Sequence, residues 1–463
     1  MRTKHGRHWL VFGICLVVVF VFKFNILHLG YFWDEMGAYA GPAQTLSEGS
    51  LWTAFPGQHS PEMFYGHPPL LFLLLAVVFK MFGHHPFAPH VVTVFFASLG
   101  VYGTYRLTHF LSGFREGVLA ATLLFFSPIY FAQSGICTAD IFVASLSVWV
   151  IYFYAKNDLG LAALTGICLS MVKLTALGVF LSIILYEFYL GVTIARIEIR
   201  RLALLSMPLV VAVVFLALQW GTTGRLVPND YFDTRNFFAT IDIFQLGVKA
   251  FDIFYFVFID QFRFITSIAA LWLLIGTLPG KQRIFILFFI LIAFYISAFS
   301  VIFYLPRYIV LIFPFYFSIV SIQMCKIIKQ RYVADISVVL VSTVFIFLSF
   351  RYNHNDGLID ATMQYADFVN VHQQAANYIE RKYNDIVLIS DYPFIDAVHD
   401  DGYGFVTKPI KTTENFNEAN TAAFFTKPNK QKYQLSAFLS EGFVPVKMFT
   451  VGSCEFTILR RQQ

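Results

Sequence analysis

A chain of 463 residues that is 57% hydrophobic and only 13% charged departs from soluble domains, in which charged residues approach a quarter. Phe alone supplies 55 positions, the apolar residues come in blocks between short basic stretches, and the net charge is only +5. A soluble enzyme, a nucleic-acid binder and a disordered chain are thereby excluded, and a polytopic membrane protein is implied.

The chain opens on a basic stretch, Arg2, Lys4 and Arg7, followed by an apolar run from Trp9 to Leu29 that no small-residue cleavage site ends. It reads as a retained first helix with a cytoplasmic N-terminus. Further apolar runs cover roughly 68–82, 88–107, 118–134, 138–155, 160–174, 176–190, 202–220, 256–278, 284–303, 306–324 and 332–350. The basic clusters Arg2/Lys4/Arg7, Arg106/Arg115, Lys156, Arg196/Arg200/Arg201, Lys281/Arg283 and Lys326/Lys329/Arg331 share one side only if 68–82 does not cross. That segment is short, opens on Pro68-Pro69 and closes with Lys80, which suits an interfacial helix. The predicted fold is all-α, with about eleven transmembrane helices, N-terminus in and C-terminus out.

On this topology the stretch Phe24–Phe79, with no Lys or Arg but with Asp34, Glu35, Glu48 and Glu62, faces outward. A longer outward loop spans about Gly221–Tyr255. The five cysteines, at 15, 137, 168, 325 and 454, form no CxxC pair or Cys/His cluster, so no disulfide or zinc module is indicated. After Phe350 the apolar runs stop. Residues 1–350 therefore read as the transmembrane domain and 351–463 as a small extracytoplasmic α/β domain. In the latter, Met363–Arg381 has helical periodicity, and Asp385–Ser390, Phe443–Val451 and Glu455–Leu459 read as strands. The Asn/Lys/Thr-rich segment 411–434 reads as a surface excursion.

Three groups of residues suggest chemistry. Asp34-Glu35 follows the first helix, and Tyr65-Gly66-His67-Pro68-Pro69 makes a rigid turn in the same outward loop. Asp140 opens a later helix, where the free amides favour a carboxylate in any case. Lys173 sits between two half-length apolar runs, and Arg307-Tyr308 starts another, where the bilayer penalises a cation unless it snorkels or meets an anion. Glu62, His67, Arg225 and Arg235 are candidate loop and acceptor-site residues. Outward Lys and Arg against the charge bias point to an anionic lipid headgroup.

In this order these residues resemble the GT-C integral-membrane glycosyltransferases, in particular the polyprenyl-phosphate-sugar-dependent branch with protein O-mannosyltransferases and lipid A aminoarabinose transferases. The resemblance rests on Asp34-Glu35, Gly66-His67-Pro68-Pro69-Leu70, Asp140, and Lys173 with Arg307-Tyr308. It implies a sugar moved from a polyprenyl-phosphate donor to a glycan, lipid or protein acceptor at a prokaryotic plasma membrane, on the outer face. Asp34 would be the base, with Glu35 and Asp140 also catalytic, and Lys173, Arg307 and Tyr308 would bind the donor phosphate. Glu35 with Asp140 is compatible with a divalent cation, Mg or Mn, without requiring one. The small C-terminal domain departs from the aminoarabinose transferases, so neither acceptor carries over. A transporter or flippase of lipid-linked intermediates is the alternative, although no internal repeat of the transporter kind is visible.

Overall fold

The computed structural model describes residues 2–59, 61–64, 66–194, 198–224, 242–271, 283–302, 304–327, 330–352, 359–383, 385–427 and 435–462. The first 352 residues are almost wholly helical among those described. Helices α1 (Arg2–Lys23), α2 (Gly41–Glu48), α3 (Leu70–Phe82), α4 (Phe87–Leu111), α5 (Phe114–Phe126), α6 (Pro128–Gln133), α7 (Ala139–Ala155) and α8 (Leu159–Ser170) come first. Helices α9 (Leu177–Ile194), α10 (Ile199–Thr223), α11 (Ile243–Phe258), α12 (Arg263–Leu271), α13 (Ile284–Val301), α14 (Phe313–Ile327) and α15 (Arg331–Tyr352) follow.

Among the described residues, seven helical segments are long and apolar enough to cross a membrane: His8–Ile26, Phe87–Leu111, Leu174–Thr193, Ile199–Thr223, Ile284–Val301, Pro306–Lys326 and Tyr332–Tyr352. Shorter apolar helices are α3, α7 and α8. Helix α3, with 13 residues, is about 20 Å long at 1.5 Å per residue, less than the ~30 Å of a hydrocarbon core. Apolar stripes face outward: Leu10, Ile14, Val17 and Val21 on α1, and Ile336, Val339, Leu340, Val344 and Phe347 on α15. Such stripes at helical spacing would be an aggregation liability in water, and acyl chains cover them without cost.

Two expectations for the helical region need correction. The apolar run 256–278 is not one rod. Helix α11 ends at Phe258, Gln261 and Phe262 take left-handed backbone (φ 53° and 62°), and α12 begins at Arg263. Arg263 is wholly buried and donates to the carbonyls of Phe256 and Val257 (2.9 Å to the latter), closing the free carbonyl end of α11. The loop expected over 221–255 is likewise in part helix, because α10 runs to Thr223 and α11 starts at Ile243 behind Asp242, whose carboxylate accepts from the Phe244 N–H at 2.9 Å.

Beyond α15 the chain forms helix α16 (Gln364–Lys382), the short helices α17 (Phe394–Ala397) and α18 (Leu435–Ser440), and strands β1 (Val387–Ser390), β2 (Lys411–Thr412), β3 (Thr421–Lys427), β4 (Phe443–Val451) and β5 (Cys454–Arg461). The sheet order is β2-β1-β3-β5-β4, with β1 parallel to β2 and β3, and β5 antiparallel to β3 and β4. The described part of segment 411–434, residues 411–427, is therefore no surface excursion: β3 is the middle strand. Its polar composition hides the run Ala422-Ala423-Phe424-Phe425, all buried, in which alternate side chains serve opposite faces. Ala423 and Phe425 join the core that α16 covers, whereas Ala422 and Phe424 pack with Phe438 and Phe443 on the other face. The first of these cores continues into the helical bundle. Trp33 stacks on Phe368 of α16 (centroids 5.8 Å apart, 20°), and the Tyr392 hydroxyl donates to the Trp33 carbonyl at 3.0 Å. The sheet unit thus rests directly on the loop that follows α1.

Candidate active site

The candidate residues lie on connections at helix ends, and the fold gathers most of them. After α1 the chain turns through Trp33, which has a left-handed backbone (φ 37°), into a π-helical segment, Glu35–Ala40. This turn sends the two adjacent carboxylates apart. Asp34 points to the exposed side, and Glu35, only 1% exposed, turns inward. Glu35 Oε2 accepts from the Phe32 N–H (2.6 Å), while Oε1 meets His90 Nε2 (3.1 Å) and accepts from the Cys137 N–H. One carboxylate thereby ties the first loop to α4 and to the turn before α7.

That turn delivers Asp140. Helix α7 starts at Ala139 with no side-chain cap, so the carboxylate of Asp140 is not spent on its own helix end. Its Oδ1 accepts from Lys173 Nζ at 2.6 Å, and its Oδ2 lies 3.3 Å from Arg307 Nε. Lys173, in extended backbone between α8 and the 3-10 turn Leu174–Ala176, also lies 4.2 Å from the Tyr308 ring centroid. Arg307 is the second residue of a 3-10 segment, Pro306–Ile312, that leads into α14. Its guanidinium meets three carboxylates: Asp34 through Nη2, Asp140 beside Nε, and Asp360 through Nη1 at 3.1 Å. The side chains of Arg307 and Lys173 are each 7% exposed, that of Asp140 4% and that of Asp34 36%. Buried cations held by carboxylates at one rim are suited to gripping an anion that approaches from the Asp34 side.

His67 borders this cluster. Its ring lies parallel to Tyr39 (6.0 Å, 8°), and burial, with Lys173 and Arg307 nearby, pushes its pKa down to about 3. It is a neutral imidazole at physiological pH. Tyr39, itself buried, has its phenol pushed well above the ordinary range by burial and by Asp140. Leu70, at the start of α3, donates its N–H to the Met171 carbonyl at 3.0 Å, which fixes the His-Pro-Pro turn beside Lys173.

The structure thus brings together Asp34, Asp140, Lys173, Arg307, Tyr308 and His67. It separates Glu35 from them: expected as a catalytic or metal-binding carboxylate, Glu35 has its oxygens committed to two backbone amides and His90. Glu35 and Asp140 are therefore not arranged as a metal pair. Among the described residues no group of three or more His, Cys, Asp or Glu side chains is placed to hold a metal ion, and Arg307 stands where Asp34, Asp140 and Asp360 converge. A divalent cation at that point would have to expel the guanidinium, so the residues do not fit one there. Glu62 falls in the short 3-10 turn Pro61–Phe64, and Arg225 and Arg235 lie outside the described residues. Sequence reading missed Asp360 and His90. Asp360 follows α15 with no motif around it, and His90 looks like one more residue of an apolar helix.

No protein-family model matches the chain, and no curated protein matches it in sequence. Solved structures do match in fold. ArnT from Cupriavidus metallidurans in the apo state superposes with a TM-score of 0.56 at 13% identity, covering 98% of both chains. ArnT bound to undecaprenyl phosphate gives 0.55 at 14% identity over 97% of each. The chain shares its fold with ArnT. Archaeal oligosaccharyltransferase AglB from Archaeoglobus fulgidus, in complex with an inhibitory peptide and a dolichol-phosphate, matches at 0.50 and 11% identity, over 91% of this chain and 70% of that one. The likeness to ArnT spans both parts of the architecture, the mostly helical apolar region and the smaller unit that carries a sheet, since it covers 98% of this chain.

Proposed function

We propose that the protein is an inverting membrane glycosyltransferase that moves a sugar from a polyprenyl-phosphate donor to a cell-envelope acceptor. The observation that carries this reading is the convergence of Asp34, Asp140, Lys173 and Arg307 from four separate parts of the chain. The shared fold supports it, since ArnT has been solved bound to undecaprenyl phosphate and AglB in complex with a dolichol-phosphate.

In the reaction the acceptor hydroxyl attacks the anomeric carbon, a new C–O bond forms, and the bond to the phosphate oxygen breaks. Arg307 holds Asp34 by Oδ2, and Oδ1 makes no hydrogen bond among the described residues, which leaves it to take the hydroxyl proton. General-base catalysis of this kind contributes about 10²- to 10⁴-fold. The electron pair of the broken bond goes to the phosphate, which needs no proton, only counter-charge from Lys173 and Arg307. A base on one side of the sugar and a leaving phosphate on the other give inversion. Tyr308 and neutral His67 wall the cationic pocket without adding charge.

In this reading residues 1–350 are the transferase domain, with eleven spans and α3 at the interface, and residues 351–463 are an outward unit, in a prokaryotic plasma membrane. Cysteine placed at Gly113 should then escape an impermeant reagent in intact cells, and cysteine at Gly442 should react; the reverse pattern overturns the orientation. The function is tested with purified protein and synthetic polyprenyl-phosphate sugars, by following release of polyprenyl phosphate. Mass spectrometry of envelope glycans and lipids with and without the protein identifies sugar and acceptor. Release from no donor, together with movement of the intact donor across vesicles, would replace transfer by transport.

A further inference from the structure

This inference rests on the lipid-phosphate reading above. Each nitrogen of the Arg307 guanidinium already lies within ion-pair distance of a carboxylate: Nη2 and Nη1 donate hydrogen bonds to Asp34 and Asp360, and Nε lies 3.3 Å from Asp140 without a hydrogen bond. With Lys173 on Asp140, three carboxylates meet two cations in a poorly hydrated space. A phosphate on Arg307 adds at least one more negative charge. Like charges so close repel strongly where water does not screen them, so one carboxylate has to give way.

The three are not equally free to do so. Asp140 is 4% exposed, sits in the first turn of α7 and is held by Lys173 at 2.6 Å as well as facing Arg307. Asp34 is the base of the proposed reaction and has to stay. Asp360 meets one side chain through its carboxylate among the described residues, and that is Arg307 at 3.1 Å. Burial pushes its carboxyl above the usual range while Arg307 opposes. Its backbone, by contrast, is fixed. Gln133 Nε2 donates to the Asp360 carbonyl at 2.7 Å, Gln133 Oε1 accepts from Thr138 at 3.1 Å, and the following Ala361 and Thr362 are buried. Asp360 can therefore leave Arg307 by turning its side chain on an unmoved backbone.

We propose that Asp360 is a positioning residue that holds the Arg307 guanidinium through Nη1 and is exchanged there for the phosphate of the lipid ligand. Asp360 then competes with donor and product alike, and it favours release of the polyprenyl phosphate after transfer.

The test is equilibrium binding of undecaprenyl phosphate to the purified full-length protein in detergent. Asp360→Asn, which removes the competing charge, should bind about tenfold more tightly than wild type, a typical coupling between two linked events. Asp360→Glu should bind like wild type. Unchanged or weaker binding by Asp360→Asn overturns the exchange, because a merely structural role predicts weakening. Should Asp360→Asn fail to fold, wild type alone decides: a structure with undecaprenyl phosphate bound should show Asp360 off Arg307, and a retained 3.1 Å contact overturns the proposal. Binding by neither protein removes the lipid-phosphate reading itself, and the exchange with it.

Discussion

Replacing Glu35 should damage folding, and replacing its neighbour Asp34 should damage chemistry. Glu35 is 1% exposed and takes three donors: the Phe32 N–H at 2.6 Å, the Cys137 N–H, and His90 at 3.1 Å. Glutamine keeps the shape but puts an NH₂ where one backbone N–H now points. Alanine orphans both amides and leaves His90 without its partner. Breaking one side of a buried, hydrogen-bonded pair costs about 3–5 kcal/mol, and each orphaned amide costs about 1–3 kcal/mol in the same accounting. We expect about 3 kcal/mol for Glu35→Gln and about 5 kcal/mol for Glu35→Ala, at the two ends of that range. Asp34 is 36% exposed and has one ion-pair partner among the described residues, so Asp34→Asn should change stability by about 1 kcal/mol or less while lowering turnover at least about 10²-fold. Thermal unfolding in detergent, followed by intrinsic fluorescence, reads the first quantity, and turnover per folded protein reads the second. If Glu35→Gln unfolded like wild type but turned over as poorly as Asp34→Asn, Glu35 would belong to the chemistry and the structural assignment would be wrong. Near-normal turnover of Asp34→Asn would remove the base.

Arg307→Ala should abolish undecaprenyl phosphate binding, and Arg307→Lys should restore part of it, since an ammonium cannot serve three carboxylates and a phosphate with one planar fork; equal binding by all three proteins would refute the clamp. His372, caged by Phe368, Phe425, Phe456 and Phe394 at centroid distances of 4.4–5.3 Å, has its pKa pushed down to about 3 by burial. The unfolded chain therefore takes up its proton first, and stability that is complete above about pH 6.5 should fall as pH drops from there toward 3. His372→Leu should flatten that slope in denaturant titrations. Gly135→Ala drives a Cβ into Ile26 Cδ1 and to 2.5 Å from the Tyr365 hydroxyl, whereas Gly160→Ala meets nothing within 4 Å among the described residues. The first should cost about 1–3 kcal/mol and lower turnover by shifting the turn before Asp140, and the second should be neutral on both readouts. Transfer should persist in a strong chelator, because Arg307 stands where the carboxylates converge; loss of activity restored by Mg or Mn would contradict this.

The sequence by itself determined the class of protein, because a bilayer demands long apolar runs and the chain can satisfy that demand in only one way. It also marked the ionisable residues that such surroundings make expensive, Asp34, Asp140, Lys173 and Arg307. It marked them one at a time, however, without saying which would meet. The adjacent pair Asp34-Glu35 looked alike in sequence, and only the left-handed turn at Trp33 and the amides of Phe32 and Cys137 divided one from the other. Strand β3 escaped notice because its polar flanks outweigh four buried residues, and the break at Gln261-Phe262 escaped because apolar composition does not record backbone handedness. Asp360 was invisible for a further reason. Its partner lies 53 positions away, and a carboxylate in a polar connection is unremarkable until a buried guanidinium is found beside it. Hydrophobic periodicity is local and is written in the chain, whereas the pairing of charges depends on which helix ends the packing brings together, and tertiary structure alone decides that.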